Sequence, residues 1–398
     1  MEQTYFRKGF GLKQEIEGDL AAYHSRLVDH IRGQGYQLTA GDLTFLLAKE
    51  FGFCYGVDRA VEYAYETRRK FPDRHIFLVG EIIHNPHVNA ELERRGITIL
   101  SPGPGGAFDY SAVRPDDVVL LPAFGVTVGD FARLRDAGCV LVDTTCGSVL
   151  NVWKRVERYA QEGFTAVVHG KHYHEETKAT VSQVTRYDGG KYLIVRDMAE
   201  TEVLCRFVEQ GDNADEMVRM FGDKVSPGFD FARDLARIGV ANQTTMLANE
   251  SLAIARRISD ALAQRHGETR LGDHFRSFDT ICSATQERQD AVEQLIAQPL
   301  DVMIVIGGYN SSNTNHLAKI CARKVKTYHI ADAGCIEPAA GRIRHKPADG
   351  TEETVEDGWL RDDVRRIGIT AGASTPNNKI GEAIERVLET RGIALPDE

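Results

Sequence analysis

The stretch Asp143-Thr144-Thr145-Cys146 opens the segment whose pattern decides the fold, and a near copy, Asp279-Thr280-Ile281-Cys282, occurs later in the chain. A third cysteine, Cys54, lacks this phrase but is followed by the same order of elements. Each of the three cysteines precedes a pattern of apolar residues at helical spacing, as in Val149, Val152, Trp153, Val156 and Ala160. The sequence therefore predicts that each of these cysteines stands at the start of a helix.

The same order of elements follows each of these cysteines. The helical pattern gives way to a short apolar run that predicts a buried strand, at 76–79, 166–168 and 302–306, and the strand ends in a polar loop. The loops carry His84, His174 and Ser311, which lie 30, 28 and 29 residues after the preceding cysteine. Strands that alternate with helices predict parallel sheets, which bind ligands beyond the carboxyl ends of their strands. We therefore predict an α/β protein of three pseudo-symmetric modules with small parallel sheets around a shared centre.

The repeats also suggest boundaries. An N-terminal extension covers residues 1–40, in which Leu20, Tyr23, Leu27 and Ile31 suggest an amphipathic helix. The three α/β modules cover 41–137, 138–272 and 273–398, the last with a C-terminal segment. Two polar, turn-rich segments, 210–228 and 347–358, are expected to be surface excursions.

Composition limits the classes of function. The chain has 398 residues, with 48 basic and 58 acidic side chains and a net charge of −10, which argues weakly against nucleic acid as a partner. No apolar run reaches the ~20 residues that cross a bilayer, and the N-terminal residues do not resemble a secretion signal. We therefore expect a cytoplasmic protein with no membrane partner. Seven cysteines in such a chain are not expected to form a disulfide framework.

Three thiolates at helix N-termini would be stabilised by the helix dipoles and would make a strong site for a soft metal. An iron–sulfur cluster with one open iron and a zinc ion both fit three thiolates, and spacing alone does not separate them. The other four cysteines lack the repeated flanking residues and are expected to be structural; they are Cys139, Cys205, Cys321 and Cys335.

Neutral and histidine donors lie on the loops at the predicted strand ends and suit phosphate oxygens; they are His84, His174, Ser311, Ser312, Asn313 and Ser374. Asn313 could instead be a helix N-cap. A carboxylate beside a metal and an anion is a candidate proton donor. Of the pair after His174, we expect Glu175 to be a solvated residue at the start of a helix.

Several motifs in order resemble the IspH/LytB family of 4-hydroxy-3-methylbut-2-enyl diphosphate reductases over nearly the whole chain. The N-terminal Arg7-Lys-Gly-Phe-Gly11 resembles the long form found in the plant and cyanobacterial branch. The other matching motifs are Gly52-Phe-Cys54-Tyr-Gly-Val-Asp58, Glu81-Ile-Ile-His84-Asn85-Pro86, Val142-Asp-Thr-Thr-Cys146, His174-Glu-Glu-Thr177, Asn242-Gln-Thr-Thr245, Asp279-Thr-Ile-Cys282, Asn310-Ser-Ser-Asn-Thr314 and Thr370-Ala-Gly-Ala-Ser374.

The resemblance implies a function and a set of roles. Cys54, Cys146 and Cys282 would hold a 4Fe-4S cluster, whose open iron binds the substrate hydroxyl. Glu176 would deliver a proton, with Thr244 as a bridge to the hydroxyl and Thr245 as the alternative for that role. The diphosphate would be held by His84, His174, Ser311, Ser312, Asn313 and Ser374, and Thr285 would line the pocket.

By the same resemblance, two electrons and two protons remove the hydroxyl as water and yield isopentenyl and dimethylallyl diphosphates for isoprenoid synthesis. The electron donor would be ferredoxin, flavodoxin or a similar reductant. The chain departs from the short-form family at Phe124, where that form has a histidine that binds phosphate. It also departs at Gly147-Ser148, where the family has proline and a larger residue.

Two other functions are compatible with the same residues. A redox-neutral iron–sulfur hydro-lyase acting on a small anionic substrate would use the open iron as a Lewis acid. A non-catalytic iron–sulfur sensor would need no proton donor at Glu176.

Overall fold

The structure is a computed structural model that describes residues 4–395; residues 1–3 of the predicted extension and 396–398 of the third predicted module lie outside the described residues. The described part of the chain contains these strands: β1 (Tyr5–Phe6), β2 (Gln37–Ala40), β3 (Leu43–Leu47), β4 (Ile76–Val79), β5 (Ile97–Leu100), β6 (Val118–Leu121), β7 (Val140–Asp143), β8 (Thr165–His169), β9 (Tyr192–Val195), β10 (Ile238–Asn242), β11 (Phe275–Ser277), β12 (Val302–Ile306), β13 (Lys326–Ile330), β14 (Ile336–Glu337), β15 (Arg342–His345), β16 (Thr354–Asp357) and β17 (Arg366–Ala371).

The same residues form these α-helices: α1 (Lys13–Leu20), α2 (Arg26–Gly33), α3 (Tyr55–Lys70), α4 (Pro86–Arg94), α5 (Val128–Asp136), α6 (Gly147–Gln161), α7 (Glu175–Val184), α8 (Met198–Gln210), α9 (Ala214–Phe221), α10 (Phe231–Asp234), α11 (Ala248–His266), α12 (Leu271–His274), α13 (Ser283–Leu295), α14 (Ser312–Ala322) and α15 (Asn377–Arg391). Short 3-10 turns cover Ala21–Tyr23, Glu268–Arg270, Ala333–Cys335 and Pro338–Ala340.

The chain forms two compact units, each built from separate segments. In the described residues, the first unit contains 4–8, 73–82 and 96–282, and the second contains 9–72, 83–95 and 283–395. The first unit has two sheets, ordered β1-β7-β6-β4-β5 and β11-β10-β8-β9, and the paired strands in both are parallel.

The second unit has one five-stranded sheet and one small sheet. The larger, ordered β13-β12-β17-β3-β2, is parallel except for the edge strand β2, and the smaller β14-β15-β16 is antiparallel. The prediction of an α/β protein with small parallel sheets is confirmed. The boundaries of three modules stay a prediction; β3, which they assign to the first module, pairs with β17 near the end of the chain.

Continuous apolar strands explain why the sheets form. All residues of β12 are buried, as are those of β6 and β8, because helices cover both faces of a parallel sheet. Each buried Val, Leu or Ile side chain contributes roughly 1.5–3 kcal/mol through removal from water. The polar loops at the carboxyl ends of these strands are thus anchored to well-packed parallel sheets.

The N-terminal extension differs from the expected single amphipathic helix, so that expectation is wrong. Leu20 ends α1, Tyr23 lies in a 3-10 turn, and a new helix begins after Ser25. The Ser25 hydroxyl accepts a hydrogen bond from the Val28 amide at 3.2 Å. Since a serine at an N-cap favours a helix start, this residue divides the segment into α1 and α2.

The two expected surface excursions also contain regular structure. Segment 210–228 includes α9, whose Met217 and Phe221 are fully buried in the core of the first unit, so the expectation was wrong there. The segment was expected to be a surface excursion because of its polar composition, although α9 has an apolar face beside its polar one. Segment 347–358 ends in β16, the largely exposed edge strand of the antiparallel sheet.

None of the helices in residues 4–395 combines the length and the apolar character that a membrane crossing requires.

Candidate functional site

The residues predicted for the site are divided between the two units. The first unit contains Cys146, Cys282, His174, Glu176, Thr244 and Thr245, and the second contains Cys54, His84, Thr285, Ser311, Ser312, Asn313 and Ser374. Within each unit, direct hydrogen bonds connect members of the set.

Three cysteines stand at the starts of helices, as predicted. Cys54 and Cys146 are the N-cap residues of α3 and α6, and Cys282 directly precedes α13. These three side chains are partly exposed, whereas the other four cysteines are buried. Burial raises the pKa of the Cys139 thiol to about 11 and that of Cys205 to about 12, which disfavours the thiolate that binds metals. The helix-terminal cysteines are therefore the better ligand candidates.

The two similar four-residue phrases form the same turn. The Asp143 carboxylate accepts a hydrogen bond from the Thr145 amide at 3.0 Å, and the Asp279 carboxylate accepts one from the Ile281 amide at 3.0 Å. An aspartate that binds the amide two residues ahead fixes a tight turn. The repeated phrase therefore has a physical basis: it presents a cysteine directly after the turn.

The N-terminal strand supports the first of these turns. The Tyr5 hydroxyl donates to Asp143 at 2.7 Å, and Arg7 Nε donates to the same carboxylate oxygen at 3.2 Å. Burial and the hydrogen bond to Asp143 raise the pKa of Tyr5 well above its ordinary value. Because β1 pairs with β7, the N-terminal segment reaches the turn that precedes Cys146.

A glycine shapes the turn before Cys54 in the second unit. Gly52 has a φ of +78°, and a Cβ there would lie 2.6 Å from Asn377 Oδ1, so a larger residue would be strained and crowded. The Cys54 amide donates to the Ala373 carbonyl at 3.1 Å. The loop after β17 thus holds the backbone at this cysteine.

Glu176 is linked through backbone groups to Cys282 in the first unit. It is 1% exposed, and its Oε1 accepts a hydrogen bond from the Thr244 amide at 2.6 Å. The Thr244 carbonyl in turn accepts from the Cys282 amide at 3.2 Å. His174 caps α7 by accepting from the Glu176 amide at 3.2 Å, and the neighbouring Glu175 is exposed. The buried Glu176 carboxyl is therefore bound to Thr244, and Thr244 is bound to the backbone of Cys282, a candidate metal ligand.

Gln243 is a residue that the sequence reasoning missed. Its amide donates to the His169 carbonyl at 2.8 Å, and its Oε1 accepts from the Lys171 amide and the Thr177 hydroxyl, both at 3.1 Å. Its Nε2 donates to the Thr245 hydroxyl at 3.0 Å. This buried side chain joins the loop after β8 to the loop after β10. The position of Gln243 directly after the apolar strand β10 is the sequence feature that could have identified it.

The polar residues of the second unit also bind one another. Ser374 Oγ donates to the His84 carbonyl at 3.2 Å, and Asn85 Nδ2 donates to the Ser374 carbonyl at 2.8 Å. Asn313 Oδ1 accepts from the Ala373 amide at 3.0 Å. These hydrogen bonds thus join the loops after β4, β12 and β17. Asn85, for which the sequence predicted no role, makes one of them.

The start of α14 separates a structural serine from two available donors. Ser311 is the N-cap, because its hydroxyl accepts from the Thr314 amide at 3.3 Å, so the alternative that Asn313 is the cap is wrong. In residues 4–395, the buried atoms Ser312 Oγ and Asn313 Nδ2 have no hydrogen-bond partner. Buried polar groups are normally paired, and a helix N-terminus favours anions, so these atoms indicate a place for an anionic ligand.

Two further positions affect the surroundings of these groups. Thr285 is fully buried in the first turn of α13, in the second unit. In the first unit, the Phe124 ring meets the His174 ring edge-on, with centroids 5.7 Å apart and an interplanar angle of 81°. Phe124 therefore offers a packing contact to His174 rather than a donor to phosphate.

Comparison with known proteins gives the family. The model of the family described as LytB protein matches residues 45–388. The chain belongs to the LytB family.

Members of the LytB family named 4-hydroxy-3-methylbut-2-enyl diphosphate reductase match almost the whole chain. The protein from Thermosynechococcus vestitus is 46% identical over 98% of this chain and 96% of its own length. The protein from Synechococcus sp. RCC307 is 47% identical over 97% of this chain and 94% of its own. The protein from Gloeobacter violaceus is 44% identical over 98% and 94%.

Solved structures agree with the LytB assignment. One of (E)-4-hydroxy-3-methyl-but-2-enyl diphosphate reductase, described as the terminal enzyme of the non-mevalonate pathway, is 26% identical and has a TM-score of 0.54. The match covers 87% of this chain and 99% of the solved chain. The E-1-hydroxy-2-methyl-but-2-enyl-4-diphosphate reductase from Plasmodium falciparum, at 20% identity and a TM-score of 0.63 over 86% and 87%, shares the fold.

Proposed function

We propose that this chain reduces 4-hydroxy-3-methylbut-2-enyl diphosphate to isopentenyl and dimethylallyl diphosphates, in the non-mevalonate isoprenoid pathway. Two electrons and two protons remove the hydroxyl as water. The match to LytB relatives along nearly the whole chain favours this reaction over the redox-neutral hydro-lyase. The observation that carries the proposal in the structure is the buried Glu176 carboxyl bound to the Thr244 backbone, which leads to Cys282.

The residues fit a 4Fe-4S cluster held by Cys54, Cys146 and Cys282. All three are at helix starts and partly exposed, and the helix dipoles favour their thiolates. When bound, a cluster with three thiolate ligands supplies electrons and an open iron for the substrate hydroxyl. Counting iron and sulfide in protein reconstituted without oxygen separates this cluster from the zinc alternative.

The side chains have distinct proposed roles. Ser312 and Asn313 donate to the diphosphate through atoms that have no partner in residues 4–395, at the positive end of α14. His84, His174, Ser311 and Ser374 add further contacts to the diphosphate, while Thr285 shapes the space for the substrate. Because Phe124, in the loop after β6, offers no donor to phosphate, the diphosphate contact from the first predicted module rests on His84 in the loop after β4.

Glu176 holds the proton that the leaving hydroxyl needs. Its burial keeps bulk water away, and the Thr244 amide fixes the position of the carboxyl group. The Thr244 hydroxyl bridges the carboxyl to the substrate hydroxyl, and Thr245 is the alternative for this role. General acid catalysis of this kind contributes about 10²–10⁴-fold to a rate.

The electron donor is proposed to be ferredoxin, flavodoxin or a similar one-electron carrier. The substrate is a small diphosphate, and no nucleic-acid or membrane partner is proposed. The cytoplasmic location expected from the sequence stays a prediction.

The decisive experiment is a reductant-dependent assay of anaerobically reconstituted wild-type, Glu176→Gln and Glu175→Gln proteins. Glutamine can still accept from the Thr244 amide but supplies no acidic proton, so we expect Glu176→Gln to lose 10²–10⁴-fold in kcat with its iron content unchanged. The exposed Glu175 is the matched control and should keep its activity. Turnover without any electron donor would contradict the reductase, and full activity of Glu176→Gln would contradict the proton role.

A further inference from the structure

Arg288, on α13 of the second unit, is a buried cation that the roles above do not use. It is 3% exposed. Its Nη2 donates to the Gly52 carbonyl at 2.8 Å and to the Phe53 carbonyl at 3.3 Å, and its Nη1 donates to Ala284 at 2.9 Å in its own helix. The guanidinium therefore hydrogen-bonds to the backbone of the two residues directly before Cys54.

In residues 4–395, no carboxylate is among the hydrogen-bond partners of Arg288. Its hydrogen bonds to Gly52, Phe53 and Ala284 reach neutral carbonyl groups, and its Nε, also buried, has no partner there. Removing a charge from water is costly, and buried arginines are normally paired with a carboxylate. Carbonyl groups could be held by neutral donors at a lower cost, so the retained charge points to an electrostatic purpose.

The position of the guanidinium identifies that purpose. It contacts the two residues that precede Cys54, and α13 is the helix that follows Cys282. A 4Fe-4S cluster gains one negative charge with each electron it accepts, and buried charges interact more strongly than exposed ones because water and salt screen them less. A fixed positive charge close to a bound cluster would favour the reduced state of that cluster.

We propose that Arg288 is a positioning residue with an electrostatic role: it holds the turn before Cys54 and raises the reduction potential of the cluster. This inference rests on the cluster proposed above. Arg288 thereby helps to set a reduction potential at which a one-electron carrier can reduce the cluster.

The test compares wild-type protein with Arg288→Gln and Arg288→Lys, each reconstituted without oxygen. The midpoint potential is measured by titration with a low-potential chemical reductant and redox dyes, following absorbance. Glutamine removes the charge, whereas lysine keeps it with a simpler set of donors. Arg323→Gln is the matched control: it removes a positive charge from an exposed residue of the same unit, 3.7 Å from Glu293 on α13.

We expect Arg288→Gln to weaken the reduction equilibrium at least tenfold, which is about 59 mV more negative for a one-electron couple. Arg288→Lys and Arg323→Gln should stay within threefold of wild type. Iron content and thermal unfolding, measured on the same samples, report separately on assembly and folding.

Each alternative result overturns a defined part of the inference. An unchanged potential in Arg288→Gln refutes the electrostatic role. Equal shifts in the Gln and Lys variants show that Arg288 acts only through the shape of the turn. Loss of the cluster from Arg288→Lys has the same meaning, because that variant keeps its charge. A wild-type protein that binds no iron would refute the cluster itself, and this inference would fall with it.

Discussion

Adjacent serines at the start of α14 differ in whether the fold itself uses their hydroxyl groups. The Ser311 hydroxyl is used within the fold, where it accepts from the Thr314 amide, while the buried Ser312 hydroxyl has no partner in residues 4–395. A buried donor without a partner reduces stability slightly and becomes useful when an anion arrives. Ser311 therefore stabilises the helix start in addition to its proposed contact with the diphosphate, whereas Ser312 contributes to binding alone.

Replacing Ser312 with alanine should weaken substrate binding without unfolding the protein. A hydrogen bond to a charged group contributes about 1.5–3 kcal/mol, so kcat/KM for the diphosphate substrate should fall roughly 10- to 150-fold. The urea midpoint should be unchanged or slightly higher, because no bond within the protein is lost. Steady-state kinetics and urea denaturation of the same preparation measure both quantities.

Ser311→Ala provides the comparison for that prediction. Loss of a serine N-cap costs about 1 kcal/mol, so this variant should show the lower urea midpoint of the two. Wild-type kinetics in Ser312→Ala, or equal loss of stability in both variants, would contradict the division of tasks.

Residue types predicted much of the site, but tertiary bonds decided the individual roles. Cys54, Cys146 and Cys282 were found because each precedes a helical pattern that the sequence shows directly. The roles of Gln243 and Asn85 depend on partners in distant loops: Thr177 lies 66 residues from Gln243, and Ser374 lies 289 residues from Asn85. Spacing along the chain carries no signal for contacts of that kind.

At the scale of elements, strands were easier to predict than helices on the surface. The runs 76–79 and 302–306 match β4 and β12 because both are apolar throughout. Helix α9 was missed because only Met217 and Phe221 of its eight residues are fully buried. Its apolar residues do follow helical spacing, but the stretch is only eight residues long and lies in a polar, turn-rich segment, so the pattern was overlooked.

Met217→Ala should show that α9 belongs to the core. Truncating a fully buried methionine costs about 2–5 kcal/mol, so the urea midpoint should fall clearly. The adjacent Val218, which is 59% exposed, gives the matched control, and Val218→Ala should change the midpoint little. Similar small effects of both substitutions would support the original expectation of a surface excursion.

At the scale of the whole molecule, two buried histidines connect stability to pH. His169 in the first unit and His329 in the second bind Ser251 Oγ at 2.8 Å and the Gly307 carbonyl at 2.9 Å. Burial lowers the pKa of each imidazole to about 4, from an ordinary value of 6.5. Both histidines are therefore neutral in the folded protein over the range in which an unfolded chain takes up protons.

Acidification from pH 7 to pH 5 should consequently destabilise the fold. Below pH 6.5 the unfolded state gains protons that the folded state excludes, so the free energy of unfolding falls by up to about 1.4 kcal/mol per pH unit for each histidine, until pH 4. Between pH 7 and pH 5, this lowers the free energy of unfolding by about 2 kcal/mol for each histidine. Urea denaturation at both pH values measures the loss.

His169→Asn tests the origin of that dependence. The variant lacks one of the two histidines, so its loss of stability between pH 7 and pH 5 should be about 2 kcal/mol smaller than that of the wild type. An identical pH dependence in both proteins would show that other groups, such as carboxylates, cause the effect.

The segmented construction of the two units has a consequence for synthesis on the ribosome. The first unit is complete once residue 282 has emerged, but β3, made early, must wait for its partner β17 at Arg366–Ala371. Closing a loop of that length has a substantial entropic cost, and folds dominated by distant contacts form slowly. Until translation is nearly finished, β3 presents an unpaired apolar edge, so the nascent chain passes through a stage in which it is exposed to aggregation and suited to capture by chaperones.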